Sequence, residues 1–173
     1  MSANSRLQLV IPVKRRKGRK TTITDIKPDY SYPWQRLHRT SVISAYKSAP
    51  FYEYYIDNIM PFFDNRYNLL TELNGAILDC FLNILEIDIV PQYTASYAHI
   101  PPSGIVDMRD EIHPKNQLKA PEPNIEYPEY HQVFSDRHGF MPNLSILDLI
   151  FNTGPDAASY VRRLAKQMKP FFG

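Results

Sequence analysis

Prolines are the feature that most restricts how this 173-residue chain can fold. Proline has a fixed φ angle and no backbone N–H, so closely spaced prolines exclude both long helices and central strands. Six of the fifteen prolines fall in one stretch: Pro101, Pro102, Pro114, Pro121, Pro123 and Pro128. We therefore expect residues 99–128 to form a proline-rich loop, either a cover over a site or a mobile segment.

Before this loop, apolar and aromatic residues repeat at the three- and four-residue steps of amphipathic helices. The pattern predicts helices at residues 33–47, 51–63 and 68–85, and a further one after the loop at 156–169. Trp34, His38 and Tyr46 should lie along one side of the first helix, and Pro61 should kink or shorten the second. Cys80 falls on the apolar face of the third, which indicates a core residue rather than a nucleophile.

In the stretch 130–156, polar and apolar residues follow different rules. Four apolar residues keep helical spacing, with Asn143 just ahead as a natural N-cap and Gly154 closing the helix behind them. Packing does not explain the polar residues on and beside this short helix, namely His138, Asn143, Ser145, Asp148 and Asn152. They form either a capping network or part of a site.

Three regions have the composition or alternation of strands. Segments 7–13 and 21–26 would form a hairpin around Gly18, and strands are also expected near Tyr93 and Val133. At 43% hydrophobic, the chain is long enough for one domain with a real core and too short for two. We therefore expect a single helix-rich α+β domain over residues 1–173, with a small mixed sheet covered by four or five helices.

The positive charge of the chain is local. Six basic residues lie within seven positions, at Lys14, Arg15, Arg16, Lys17, Arg19 and Lys20, and the rest of the chain has a formal charge of −4. A loop with this charge could bind the phosphates of a nucleotide, a nucleic acid or a lipid surface, or be a solvated hairpin tip. No aromatic residue is interleaved with these cations, which argues against nucleic acid.

Several familiar site types are missing from the sequence. It has no glycine-rich phosphate loop, no paired-cysteine spacing and no Gly-x-Ser-x-Gly elbow. The five histidines are never three or four residues apart on a predicted helix, so we expect no metal site. No apolar run reaches the length of a membrane span and no secretory signal is visible. With a single cysteine, these features predict a cytoplasmic protein.

Four stretches together resemble the WbqC-like protein family. They are the segment 7–13, the Trp34-x-x-x-His38 helix running to Tyr46, the step Ala-Pro-Phe-Tyr-Glu-Tyr-Tyr at 49–55, and the block His-Gly-Phe-Met-Pro-Asn-Leu-Ser-Ile-Leu-Asp at 138–148. The resemblance covers nearly the whole chain in the same order. These proteins are associated with bacterial O-antigen and other surface-polysaccharide gene clusters. The resemblance implies a transferase acting on a nucleotide-linked sugar, and it names no cofactor.

Members of that family usually begin with a further segment that contains a strand, so this chain resembles an N-terminally truncated member. Removing such a unit would leave segment 7–13 with an unpaired edge, through which the chain could form an oligomer. A Rossmann-like α/β fold is the alternative to α+β, because the upstream segment could supply a parallel strand.

For transfer chemistry we expect His38 to be the general base, because imidazole titrates near neutral pH. Asp148 would orient it or a substrate hydroxyl, and Arg36 and Arg39 would face a diphosphate. The other substrate contacts are expected from Trp34, Tyr46, Tyr55, His138, Asn143 and Ser145. The structural alternatives are a satisfied core histidine, a carboxylate in a capping network and a plain N-cap asparagine.

A different class of function remains open, that of a non-catalytic protein binding a sugar or a partner enzyme. It would use an aromatic helix face around Tyr46, Tyr52 and Tyr55, since aromatic rings stack on sugars and anchor interfaces. A pocket containing both His38 and Asp148 would favour the enzyme, and a flat exposed tyrosine patch would favour the binding protein.

Overall fold

The computed structural model describes residues 7–14, 21–109 and 125–172, and its regular structure is helical. A one-turn 3-10 helix at Ile23–Asp25 precedes seven α-helices in the described ranges. These are α1 (Trp34–Tyr46), α2 (Tyr52–Ile59), α3 (Pro61–Asp64), α4 (Leu70–Ile84), α5 (Ser135–His138), α6 (Ile146–Thr153) and α7 (Asp156–Phe172). Each described helix is too short or too polar to cross a lipid bilayer.

The expected fold class was wrong, because the described residues contain no β-strand and no sheet. This excludes the small mixed sheet of an α+β domain and the Rossmann-like alternative. The predicted hairpin is reduced to an isolated antiparallel bridge between Val13 and Pro28, with Lys14 N donating to Lys27 O at 2.9 Å. Pro28 has no N–H to continue a ladder, and the 3-10 helix occupies the predicted second strand. The turn at Gly18 lies outside the described residues.

The other two predicted strands were also wrong. The region near Tyr93 is exposed irregular chain, and the stretch before Val133 runs into a turn. There a side chain, and not a neighbouring strand, forms the hydrogen bonds to the backbone. Gln132 Nε2 donates to Met141 O at 3.0 Å, and Gln132 Oε1 accepts from Met141 N at 2.9 Å. The local alternation of residues could not distinguish this pairing from that of a ladder.

The chain forms two compact units. The first consists of the described residues of Met1–Asp88 and Glu129–Ala158, and the second of those of Ile89–Pro128 and Ser159–Gly173. In the first unit, α1 packs against α3, and α2 packs against α3 and α6.

The core of the first unit is built around Phe151 of α6, which is fully buried. Its ring lies 5.2 Å from the ring of Tyr46 and 5.4 Å from that of Tyr52. Its carbonyl accepts a 3.0 Å hydrogen bond from Phe51 N, just before α2. Removing such a ring costs roughly 3–5 kcal/mol of stability. Phe151 therefore fixes α1 and α2 against α6.

The predicted helices before and after the proline-rich loop are confirmed, and the breakers act as expected. Pro61 divides the second predicted helix into α2 and α3, and it is the first residue of α3, where its missing N–H costs nothing. Gly154 ends α6 with a φ of 56°. A Cβ at Gly154 would lie 2.5 Å from the Phe51 ring, so the position needs glycine for both its angle and its space.

Asn143 was wrongly predicted as the N-cap of α6. The cap is Ser145, whose hydroxyl accepts a hydrogen bond from Leu147 N at 3.3 Å. Asn143 is exposed and has a φ of 53°, a left-handed conformation that asparagine tolerates better than most residues. Helix α6 therefore begins at Ile146, two residues later than an N-cap at Asn143 would give.

In the second unit, the side chain of Arg109 links several residues in the described part of the irregular chain. Arg109 Nε and Nη2 donate to Asp107, its Nη1 donates to Ala98 O at 2.7 Å, and its guanidinium lies 4.7 Å from the centre of the Tyr97 ring. Hydrogen bonds from Arg109 lower the pKa of Asp107 to about 2. Near α7, the side-chain amide of Gln167 bonds both backbone groups of Glu126.

The Gly154→Ala variant should be less stable than the wild type by about 2–4 kcal/mol, because it combines a left-handed angle with an overpacked contact on Phe51. Gly139→Ala is the matched control, since Gly139 also has a positive φ, of 67°, but a Cβ there meets nothing within 4 Å. Urea unfolding of both variants measures the difference. Equal losses would show that the Phe51 contact has no role.

Candidate functional site

An open cleft of about 280 Å³ lies beside the first turn of α1 in the first unit. Its polar and aromatic walls include three arginines, two tyrosines and one carboxylate. These are Arg36, Arg39, Arg66, Tyr30, Tyr32 and Asp64. Cationic, aromatic and acidic side chains therefore meet around one cavity of the first unit.

The positive groups of the cleft come from two elements. Arg36 and Arg39 are one turn apart on α1, which places them on the same side of the helix. Arg66 follows α3. The start of α1 adds to them, because Pro33 provides no side-chain cap and the first amides of a helix have no intrahelical partner. These amides carry the positive end of the helix dipole, so the whole wall favours an anion.

Hydrogen bonds hold the two elements together. The Tyr30 hydroxyl accepts from Tyr67 N at 2.8 Å and donates to Tyr67 O at 3.2 Å. From α1, Gln35 Nε2 donates to Asn65 O at 2.6 Å. Between these anchors, the guanidinium of Arg66 lies 5.2 Å from the centre of the Tyr30 ring, a cation–π contact. Arg66 is thus positioned before any ligand arrives.

The charges in the cleft are only partly compensated. Arg39 forms an ion pair with Asp64 at 3.6 Å, and about half of each side chain is exposed. The ion pairs of the described residues include none for Arg36 or Arg66. With one carboxylate against three guanidinium groups, the cleft keeps a net positive charge.

Two buried aromatic residues, Trp34 and His38, pack against residues that line the cleft. Trp34 is buried and stacks on Tyr30 at 5.8 Å between ring centres. The His38 ring lies 5.2 Å from Trp34 and 6.5 Å from Phe63, which also lines the cleft. Burial lowers the pKa of His38, and a hydrogen bond to the backbone of Val10 opposes this only in part. The imidazole is therefore neutral at neutral pH.

A second polar cluster surrounds Asp148, which is 1% exposed. Its Oδ2 accepts hydrogen bonds from the Tyr130 hydroxyl and from Gln132 Nε2, both at 2.9 Å. Tyr46 is also hydrogen-bonded to this carboxylate, and its pKa is raised by burial and then by the negative charge of Asp148. Asp148 is thus a buried anion held by neutral donors from α1 and from the segment before α5.

Comparison with known proteins adds one finding to this geometry. The model of the WbqC-like protein family matches residues 1–103 and 115–160. The chain belongs to the WbqC-like family. Every residue named above in the cleft and in the Asp148 cluster falls within the matched ranges. No curated protein and no solved structure matches this WbqC-like chain.

The structure of this WbqC-like protein separates the two residues predicted to form a catalytic pair. His38 contacts Trp34 and Phe63, whereas Asp148 is hydrogen-bonded to a different residue of α1, Tyr46. Tyr46 is about two turns further along α1, roughly 12 Å from His38 along the axis. Among the described residues, no hydrogen bond or ion pair joins His38 to Asp148. His38 belongs with the arginine cleft and Asp148 with the buried cluster.

The remaining predicted site residues of this WbqC-like chain are scattered. Ser145 caps α6, Asn143 is exposed, His138 ends α5, and Tyr55 packs against the core. Lys14 lies near Asp29, whose pKa is lowered by hydrogen bonds from Ser31 and to a smaller extent by the Lys14 charge. The rest of the predicted phosphate-binding loop, Arg15, Arg16, Lys17 and Arg19, lies outside the described residues.

The tyrosine face predicted for a non-catalytic binding protein is not an exposed patch. Tyr46 and Tyr52 are both buried in the core, where they contact Phe151. The tyrosines that line the cleft are instead Tyr30 and Tyr32, which sequence patterns had not singled out. Among the described residues, no group of three or more histidine, cysteine or carboxylate side chains could hold a metal ion.

Asp148→Asn should reduce the free energy of unfolding by about 1–3 kcal/mol, because an amide has one acceptor oxygen fewer and would turn a donor toward Tyr130 or Gln132. Asp136→Asn, an exposed carboxylate on α5, is the control and should change stability by less than about 0.5 kcal/mol. Denaturant titration at pH 7 compares the two. Equal stabilities would contradict the role given to the buried cluster.

Stability should fall as the pH drops below about 6.5, in part because of His38. Its pKa is lowered in the folded state, so the unfolded chain takes up a proton first and unfolding is favoured by acid. His38→Gln should show a smaller loss between pH 7.5 and pH 5.5 than the wild type. The exposed His131, changed to Gln, should keep the full loss. A His38 variant with an unchanged pH dependence would contradict this account.

Proposed function

We propose that this protein binds the phosphate groups of a nucleotide-linked sugar in the arginine cleft and acts as a transferase in bacterial surface-polysaccharide biosynthesis. The observation that carries the proposal is the meeting of three guanidinium groups with the uncapped start of α1 around one cavity. Membership of the WbqC-like family supports the biological setting.

Arginine suits this ligand better than other cations do. Its planar guanidinium presents several N–H donors in a fixed fork that matches the spacing of phosphate oxygens. Arg36 and Arg66 have this donor capacity available, since the ion pairs of the described residues do not include them. The exposed ring of Tyr32, at the edge of the same cleft, adds a flat surface for a base or a sugar.

The same groups would assist the chemistry of transfer. An acceptor hydroxyl attacks the anomeric carbon of the donor, the bond from that carbon to the diphosphate oxygen breaks, and the nucleoside diphosphate leaves with the bonding electrons. Negative charge grows on the leaving diphosphate, so cations fixed in advance stabilise the transition state more than the ground state. The presence of Arg36, Arg39 and Arg66 in the lining of one cleft supports this role.

A general base would take the proton of the acceptor hydroxyl, and His38 stays the predicted residue. Its burial favours the neutral imidazole, and one ring nitrogen is engaged with the backbone of Val10, which leaves the other as a proton acceptor. His38 lies next to the cleft, because its ring contacts that of Phe63, which lines the cleft. The role predicted for Asp148 becomes that of a residue fixing α1 through Tyr46.

Isothermal titration calorimetry with UDP-glucose and with pyrophosphate, at low ionic strength, tests the anion site. Arg36→Gln and Arg66→Gln should each weaken binding of both probes by about tenfold, because each removes charge-assisted hydrogen bonds to phosphate. Arg137→Gln is the matched control, since Arg137 is an exposed arginine of the same unit on α5. Cleft variants that bind both probes as tightly as the wild type would overturn the proposal.

A further inference from the structure

One carboxylate stands among the cations of the cleft. Asp64, the last residue of α3, is 3.6 Å from Arg39 and exposes 55% of its side chain. If the cleft bound only phosphate, a negative charge beside the ligand would weaken binding by like-charge repulsion. Its ion pair contributes little stability at this exposure. An aspartate at this position therefore reduces the affinity for a bare phosphate and adds little stability.

The backbone around Asp64 holds the carboxylate in place. On one side, Phe63 packs against the core and contacts the His38 ring. On the other side, Asn65 O accepts the 2.6 Å hydrogen bond from Gln35 of α1, and Tyr67 is bonded through both backbone groups to Tyr30. Asp64 thus sits in a short, doubly anchored stretch, which suits a residue that must meet a ligand in one defined position.

The chemistry of an ionised carboxylate points to the kind of group it would meet. It only accepts hydrogen bonds, and its two oxygens offer about four acceptor positions, most of which a single long contact to Arg39 leaves open. Hydroxyl groups are the complementary donors, and O–H to carboxylate hydrogen bonds are short and strong. A ligand that satisfies the whole cleft therefore combines phosphate with a hydroxyl-bearing ring.

We propose that Asp64 is a specificity-determining residue, which accepts a hydrogen bond from a hydroxyl of the ligand's sugar while the arginines hold its phosphates. The proposal rests on the proposed function, because it uses the same cleft and the same class of ligand. It adds that the cleft rejects bare phosphates in favour of phosphates carrying a sugar. Repulsion by Asp64 weakens the binding of bare phosphates. For a phosphate that carries a sugar, the hydrogen bond to Asp64 compensates this repulsion.

The competing explanation is that Asp64 only orients Arg39. In that case its removal changes the affinity for every phosphate ligand in the same direction, because the sugar makes no contact with it. A hydroxyl acceptor gives opposite signs for the two classes of ligand. The comparison of a ligand with and without a sugar therefore separates the two roles.

The test is calorimetric titration of the wild type, Asp64→Ala and Asp79→Ala with pyrophosphate and with UDP-glucose at low ionic strength. Asp79 is an exposed carboxylate of α4 in the same unit, so its variant matches the change of net charge. Asp64→Ala should bind pyrophosphate about threefold more tightly, from relief of repulsion, and UDP-glucose about tenfold more weakly, from the lost hydrogen bond. Asp79→Ala should change neither affinity more than about twofold.

The outcomes distinguish the two proposals. Opposite shifts for the two probes in Asp64→Ala support the specificity role, and shifts in the same direction, or none, overturn it even if the anion site stands. The anion site is judged separately, by wild-type binding of pyrophosphate and its loss in Arg36→Gln and Arg66→Gln. A wild-type protein that binds neither probe overturns both proposals. Circular dichroism melts confirm that the exposed Asp64 variant is folded.

Discussion

The buried carboxylate of Asp148 is the interaction on which the first unit depends. A charge taken out of water must be hydrogen-bonded or its burial costs several kcal/mol, so its donors have to be in place in the folded state. The donors come from distant parts of the chain, with Tyr46 on α1 and Tyr130 and Gln132 before α5. Folding around Asp148 therefore fixes α1 against α6. It also orders the segment between Glu129 and the start of α5.

Gln132 extends this constraint. It is fully buried, and besides Asp148 its amide bonds both backbone groups of Met141. The Phe151 ring supplies the apolar counterpart on the next turn of α6, where it packs on Tyr46 and Tyr52. Asp148 and Phe151 of α6 thus both contact Tyr46. These two contacts fix the position of the C-terminal half of α1.

The opposite half of α1 forms the cleft. Arg36 and Arg39 project from a helix whose buried face consists of Trp34, His38, Val42, Ala45 and Tyr46, so the core that holds α1 also positions two of the three guanidinium groups. The third, Arg66, is placed by Tyr30 and the anchored backbone at Tyr67. A rigid helix and a tethered loop are what a preorganised anion site requires.

Sequence reasoning predicted the helices well, because their apolar residues repeat with the helical period and Pro61 and Gly154 break them by fixed backbone rules. It failed for the sheet, since the alternation near Val133 reflects a side chain, Gln132, pairing with the backbone of Met141. Arg36 and Arg39 were predicted to face a diphosphate; the structure brings them together in a cleft, and the phosphate contact itself stays a prediction. Arg66, Tyr30, Tyr32 and Asp64 were missed, because they meet through tertiary contacts that no local period records.

The proposed function depends on phosphate binding in the cleft at the start of α1, and a crystal structure of the protein with UDP-glucose would show where the phosphates lie. We expect the diphosphate within hydrogen-bonding distance of Arg36 and Arg66, with the first turn of α1 facing its oxygens. A diphosphate bound at another surface, with these two guanidinium groups left in contact with solvent, would contradict it.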